Sequence, residues 1–195
     1  MASNLLHVAS LNVRGINSRY KRLLVFDHFK TSKFAIILLQ ETKTTFRNEN
    51  KIKREWHNHK IIINSTKSEN ASGGCMILFN SHNIIVLDTI LTSDGKCIVV
   101  DFELNGSRYN LVNAYFPDTS DQKAFILSLY PLVSSQYPII LGGDFNLALN
   151  SNIDRYPVRN YKDAHVTDLE SLIDTFDLHD ACRKLYPFRP FYSFR

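Results

Sequence analysis

Apolar residues in this chain gather into short runs of strand length. Runs rich in Ile, Val, Leu and Phe occupy residues 5–11, 34–39, 60–64, 75–79, 84–91, 97–104, 109–114 and 138–141, mostly bounded by Gly, Asn, Ser or Asp. Runs of this length with turn residues at their ends predict β-strands. Between some of them the apolar spacing becomes helical. Phe125, Leu129, Leu132 and Val133 follow Ser120, a candidate cap. Val166, Leu169, Leu172, Ile173 and Phe176 form a second helix, with Thr167 and Glu170 spaced as a capping box. A third, weaker helix is predicted over residues 18–30. From residue 60 to 114 strand follows strand, so hairpins as well as crossovers are expected and the class is mixed α/β. No repeat, low-complexity tract or long linker interrupts the pattern, and one domain over residues 1–195 is the simplest reading.

Composition narrows this picture. A chain of 195 residues with 44% hydrophobic positions can bury a sizeable core, which excludes a disordered chain. No apolar run reaches the roughly 18 residues of a membrane span, and no basic leader precedes an apolar block, so a soluble, unsecreted protein is expected. Cys75, Cys97 and Cys182 are odd in number, far apart and away from histidines. They suggest neither a disulfide framework nor a zinc site, and a reducing compartment fits. The net charge of +4 is unevenly spread: residues 1–70 carry 13 Lys+Arg against 5 Asp+Glu, and residues 71–195 carry 10 against 14. A basic first part suits a polyanion. Lys51, Lys53, Arg54 and Lys60 equally fit the solvated face of a helix or loop, so charge alone does not establish nucleic-acid binding.

Candidate chemistry sits where strands give way to loops. The first run ends in Asn12, the second in Gln40 and Glu41, the seventh in Tyr115, and the last leads to Asp144 and Asn146. In layered α/β folds, strand ends on one side of a sheet converge on one cleft. That would gather carboxylates, amides and a phenol. Mg²⁺ takes oxygen ligands, often one or two carboxylates with water and phosphate in the other positions, and Glu41 is the best candidate ligand. Asp144 could orient or deprotonate a water, while Asn146 and Tyr115 donate hydrogen bonds to phosphate oxygens. Such a set can hydrolyse a phosphoester. Singly, an Asp or Asn after a strand is a common turn residue, and a Tyr there more often packs.

Five ordered motifs, LNVRG at 11–15, LLQET at 38–42, SGGCMILF at 72–79, LVNAYFP at 111–117 and GGDFN at 142–146, resemble the endonuclease/exonuclease/phosphatase superfamily. The resemblance implies a deoxyribonuclease I-like four-layer α/β sandwich. Within that superfamily, NSNIDRYP at 150–157 and LHDACRKLYPFRPFYSFR at 178–195 are similar to the endonuclease domain of non-LTR (LINE-type) retrotransposons. What this implies is nicking of duplex DNA in the nucleus, a reverse transcriptase domain on the same polypeptide of a full-length element, and no membrane partner. It further implies Mg²⁺, or Mn²⁺ in its place, at Glu41 supported by Asn12. Tyr115 would be catalytic, Asp144 and Asn146 would activate water and bind phosphate, and Arg14 and Ser193 would contact DNA phosphate.

One part of the family pattern is missing from these residues. After the FTW-like motif, here FYSF, such domains carry Ser-Arg-Ile-Asp and then Ser-Asp-His, whose His serves as acid and base; neither follows before Arg195. His7, His28, His57, His59, His82, His165 and His179 read as surface or packing histidines instead. The expectation is a domain lacking its last strands, with weak or no nicking. The alternatives are a DNA-binding remnant without catalysis, or another phosphoesterase of the same fold: an abasic-site endonuclease, a sphingomyelinase or an inositol phosphatase.

Overall fold

The computed structural model describes residues 5–57, 59–66, 73–118, 121–156 and 163–190. It divides into two compact units, Met1–Tyr115 with Gln136–Asp144, and Phe116–Ser135 with Phe145–Arg195. The first unit holds the strands β1 (Val8–Asn12), β2 (Ile36–Gln40), β3 (Ile61–Asn64), β4 (Cys75–Phe79), β5 (Ile84–Leu91), β6 (Cys97–Leu104), β7 (Ser107–Tyr115) and β8 (Ile139–Asp144), with the helices α1 (Arg19–Lys30) and α2 (Phe46–Glu55). They form two four-stranded sheets, ordered β1-β2-β4-β3 and β5-β6-β7-β8. The pairs β1–β2 and β7–β8 are parallel, so each brings two strand C-termini side by side; the remaining pairings are antiparallel.

Alternation along the strands builds the layers. One face of the first sheet sets Ile36, Leu38, Ile77 and Phe79 against Ile98, Val100, Phe102 and Leu111 of the second. Its other face sets Ile37, Leu39, Met76 and Leu78 against Phe26 and Phe29 of α1, Ile52 of α2, and Trp56. Because β2 and β4 are covered on both faces, they read as unbroken apolar runs. Helix α2 was not legible as a helix: Ile52 is its one buried residue, and Lys51, Lys53 and Arg54 lie exposed, the solvated face that their charges allowed. What fastens α2 is an ion pair. Arg22, 2% exposed, donates to Glu55 through Nε (2.6 Å) and Nη2 (3.1 Å), and through Nη1 to the carbonyls of Ile16 (2.8 Å) and Asn17 (3.0 Å). That hydrogen bonding, with the Arg22 charge and the Arg19 contact, outweighs burial and holds the Glu55 carboxyl below its ordinary pKa.

The second unit contains α3 (Gln122–Leu129), α4 (Val166–Thr175) and α5 (Ala181–Leu185). Phe116, Phe125, Ile126, Leu129, Ala148, Val166, Leu169 and Leu172 are the buried apolar residues among its described ones, and Phe116 meets both Phe125 and Phe145 edge-on at 5.0 Å. Helix α3 stops at Leu129, short of the expected Leu132 and Val133, because Pro131 cannot continue a helix. Its N-cap is Asp121; Ser120 lies outside the described residues. The capping box expected of Thr167 and Glu170 is not formed. Helix α4 is capped at His165, whose Nδ1 lies 3.1 Å from Asp168 Oδ2, and Thr167 falls inside the helix. Helix α5 was not foreseen; Asp180 caps it by accepting the Arg183 N–H at 2.9 Å. No helix among the described residues is long and apolar enough to cross a membrane.

Candidate active site

Strand register delivers the first members of the site. Asn12 ends β1 opposite Gln40 of β2, and Asp144 ends β8 opposite Tyr115 of β7. The edge strands β1 and β8 approach each other, and Asn12 Nδ2 donates to Asp144 Oδ2 at 2.7 Å. The Asn12 side chain also favours the charged form of Glu41, and its Oδ1 accepts the Arg14 N–H at 2.9 Å. One amide therefore acts on two carboxylates that lie far apart in sequence. Close approach of β8 depends on glycines. A Cβ on Gly142 would stand 2.6 Å from Leu38 Cδ1, and one on Gly143 (φ +151°) 1.8 Å from the Ala114 carbonyl oxygen. These two glycines thus serve strand packing.

Just past the strand ends the backbone is unusual. Arg14, Glu41 and Lys43 have φ of 46°, 53° and 52°, left-handed values that cost a non-glycine residue about 1–2 kcal/mol each. A dense set of hydrogen bonds holds them. Gly15 N–H donates to Glu41 O (2.7 Å), Ile16 N–H to Thr42 O (2.9 Å), Thr42 N–H to Gly74 O (3.0 Å) and Lys43 N–H to Gly73 O (2.9 Å). Strain kept in place this way is common where side chains must be aimed. Here it places Lys43 Nζ 2.8 Å from Glu41 Oε1. Partial burial works to raise the Glu41 pKa, but hydrogen bonds from Lys43 and Asn12, with the charges of Lys43 and Arg14, outweigh it and keep the carboxyl below its ordinary value.

Beneath the site lies a buried amide network that sequence reasoning missed. Gln40, 1% exposed, donates from Nε2 to Asn113 Oδ1 (2.8 Å) and Ser10 Oγ (3.1 Å). Asn113, fully buried, donates from Nδ2 to the carbonyls of Met76 (2.9 Å) and Leu39 (3.1 Å). It thereby joins the end of β7, two residues before Tyr115, to β2 and β4. An Asn inside an apolar strand is the signal that could have found it.

The other expected residues are placed as follows. Tyr115 is half-buried, with Gly73 beside its ring. Arg14 follows Asn12 on an exposed turn, and its charge acts on Glu41. Asn146 belongs to the second unit, where its Nδ2 donates to Phe116 O at 2.8 Å. Ser193 lies outside the described residues. Among the histidines, His165 pairs with Asp168, and His59 stacks on His82 at 4.8 Å.

Glu41, Asp144 and Asn12 supply hard oxygen donors. Such donors suit a small divalent cation that keeps water and phosphate in its shell. Among the described residues no group of three or more His, Cys, Asp and Glu could hold a metal ion.

Comparison with known sequences decides the family: the endonuclease/exonuclease/phosphatase family matches residues 9–195. The chain belongs to this family. By family it is a phosphoesterase and an enzyme, and the fold is the expected one, mixed α/β with two sheets. A curated relative, the "Transposon TX1 uncharacterized 149 kDa protein" of Xenopus laevis, is 28% identical over 187 residues. That match covers 93% of this chain and only 14% of the relative. An AP endonuclease from Archaeoglobus fulgidus superposes with a TM-score of 0.73 at 19% identity, covering 98% of this chain and 78% of that one. The endonuclease domain of TRAS1, a telomere-specific non-LTR retrotransposon, superposes with a TM-score of 0.65 at 16% identity, covering 89% and 73%.

Proposed function

We propose that this member of the family is a retrotransposon endonuclease domain that nicks duplex DNA with the help of Mg²⁺, or Mn²⁺ in its place. The observation that carries the reading is the Asn12 amide, which donates to Asp144 and favours the charged form of Glu41 at adjoining strand ends. The match to a transposon protein supplies the context. Glu41, oriented by Asn12, holds the cation. When bound, the cation polarises a phosphoryl oxygen and offsets the charge that develops there. Asp144, its carboxylate plane set by Asn12, orients a water and takes its proton as the water adds to phosphorus and the P–O bond breaks. Tyr115 and Asn146 donate to the phosphate oxygens, and Arg14 and Ser193 hold the DNA backbone. A reverse transcriptase domain on the same polypeptide and a nuclear site of action complete the proposal.

The leaving oxygen draws its proton from solvent as the bond breaks. With Mg²⁺ and excess protein, supercoiled plasmid should convert to open circles, and that conversion should be lost in Asp144→Ala. Release of inorganic phosphate from small phosphomonoesters with plasmid left intact would contradict the proposal, and incision confined to abasic sites would redirect it to repair.

A further inference from the structure

The carboxylate read above as the cation ligand already carries a cation of the chain's own. Lys43 Nζ stands 2.8 Å from Glu41 Oε1, and the rest of Lys43 is built to keep it there. Its N–H donates to Gly73 O at 2.9 Å, and its carbonyl accepts from the Asn17 amide. Its stem crosses Gly15, where an added Cβ would lie 3.4 Å from Lys43 Cδ. Both Glu41 and Lys43 take left-handed φ values, 53° and 52°, on either side of the buried Thr42. A lysine on an ordinary surface would roam; this one is anchored at both ends of its peptide and aimed at one carboxylate oxygen.

We infer that Lys43 is a resident counter-cation of Glu41, which weakens divalent-cation binding by the protein alone and makes that binding depend on the substrate phosphate. The inference rests on the reading of Glu41 as a cation ligand. A divalent ion approaching Glu41 meets an ammonium at contact distance from the same carboxylate, and the two positive charges repel. An incoming phosphodiester brings anionic oxygens that can take the ammonium and also complete the ion's shell. Ion and DNA then each tighten the other, by the same factor in both directions. Lysine suits this role because its ammonium is compact and its stem flexible, and 43% side-chain exposure leaves it room to turn from the carboxylate to a phosphate.

Direct Mn²⁺ titration followed by electron paramagnetic resonance tests this without any turnover. The chain is compared with Lys43→Met, Lys43→Arg and Glu41→Gln, with and without a short phosphorothioate duplex. Lys43→Met should bind Mn²⁺ about three- to fivefold tighter than the unchanged chain in the absence of DNA, and Lys43→Arg should stay within about twofold of it. The tightening that DNA gives the unchanged chain should largely vanish in Lys43→Met. Equal or weaker Mn²⁺ binding by Lys43→Met overturns the inference; if that variant does not fold, Lys43→Gln carries the same test. Should Glu41→Gln bind Mn²⁺ as well as the unchanged chain, the ligand reading fails and the inference with it. If Glu41→Gln weakens binding while Lys43→Met leaves it alone, only the inference is lost.

Discussion

In the first unit, the residues of chemical interest stand at strand ends and are held by ladder hydrogen bonds and buried amides. In the second, the loop between residues 147 and 156 is held by partly buried ion pairs. There Arg155 meets Asp163 and Arg183 meets Asp154, each at 2.7 Å, while Asp163 accepts the Ala148 N–H at 3.0 Å and Asp154 the Asn150 N–H at 2.9 Å. Backbone ladders and buried amides keep their geometry across salt and pH, whereas ion pairs that keep some contact with solvent are screened in part. A reaction that needs atoms placed to a fraction of an ångström belongs on the first kind of support.

The sharpest way to break this contrast is at the deepest ion pair among the first unit's described residues, Arg22–Glu55. Arg22→Met leaves the largely buried Glu55 carboxylate with Arg19 alone and the carbonyls of Ile16 and Asn17 without their donor, and should cost about 3–5 kcal/mol in urea unfolding. The same pair predicts an acid limb. Because the folded-state pKa of Glu55 is depressed, chiefly by the Arg22 hydrogen bond against the opposing effect of burial, its contribution is present above the ordinary carboxylate pKa. It is lost as pH falls through that value toward the lower folded one. Melting curves taken downward from neutrality should show the loss, and the limb should flatten in Arg22→Met.

A smaller effect is expected in the amide network. Asn113→Leu leaves the carbonyls of Leu39 and Met76 and one Gln40 N–H without their partner, at a cost of about 2–3 kcal/mol by the same unfolding measurement. It should also weaken Mn²⁺ binding through the shifted ends of β2 and β7. In the second unit, Arg155→Ala should cost about 1–2 kcal/mol, between the exposed and the buried case, with part of the difference fading in 1 M salt, for which the Debye length is about 3 Å. Smallest in global consequence is Asp180→Ala, which removes a helix cap worth about 0.5–1 kcal/mol and should raise amide exchange within α5 alone. A salt-sensitive Asn113→Leu, or a salt-insensitive and large Arg155→Ala, would erase the contrast.

Much of the fold is legible in the order of residues alone. Each apolar run became a strand, because buried strands in a two-sheet fold must be short and apolar, and the converging strand ends followed from parallel pairing of β1–β2 and β7–β8. The end of β8 was harder to see, since Gly142 and Gly143 look like a turn and serve instead as the thin part of a strand pressed against Leu38 and Ala114. Helix α2 hid because one buried Ile52 makes no period. Lys43 hid for a different reason: its partnership with Glu41 depends on two left-handed backbone positions, for which Glu and Lys give no local cue. The capping of α4 moved to His165 and Asp168 because the first helical residue is Val166, buried in its own unit.

The central claim is that Asn12, Glu41 and Asp144 form one divalent-cation site at the strand ends. Titration of Mn²⁺ into isotopically labelled protein, read as paramagnetic broadening of backbone amides, tests it most directly. Broadening centred on Asn12, Glu41 and Asp144 and abolished by Glu41→Gln is the predicted result. Broadening centred elsewhere, or unchanged by Glu41→Gln, would contradict it.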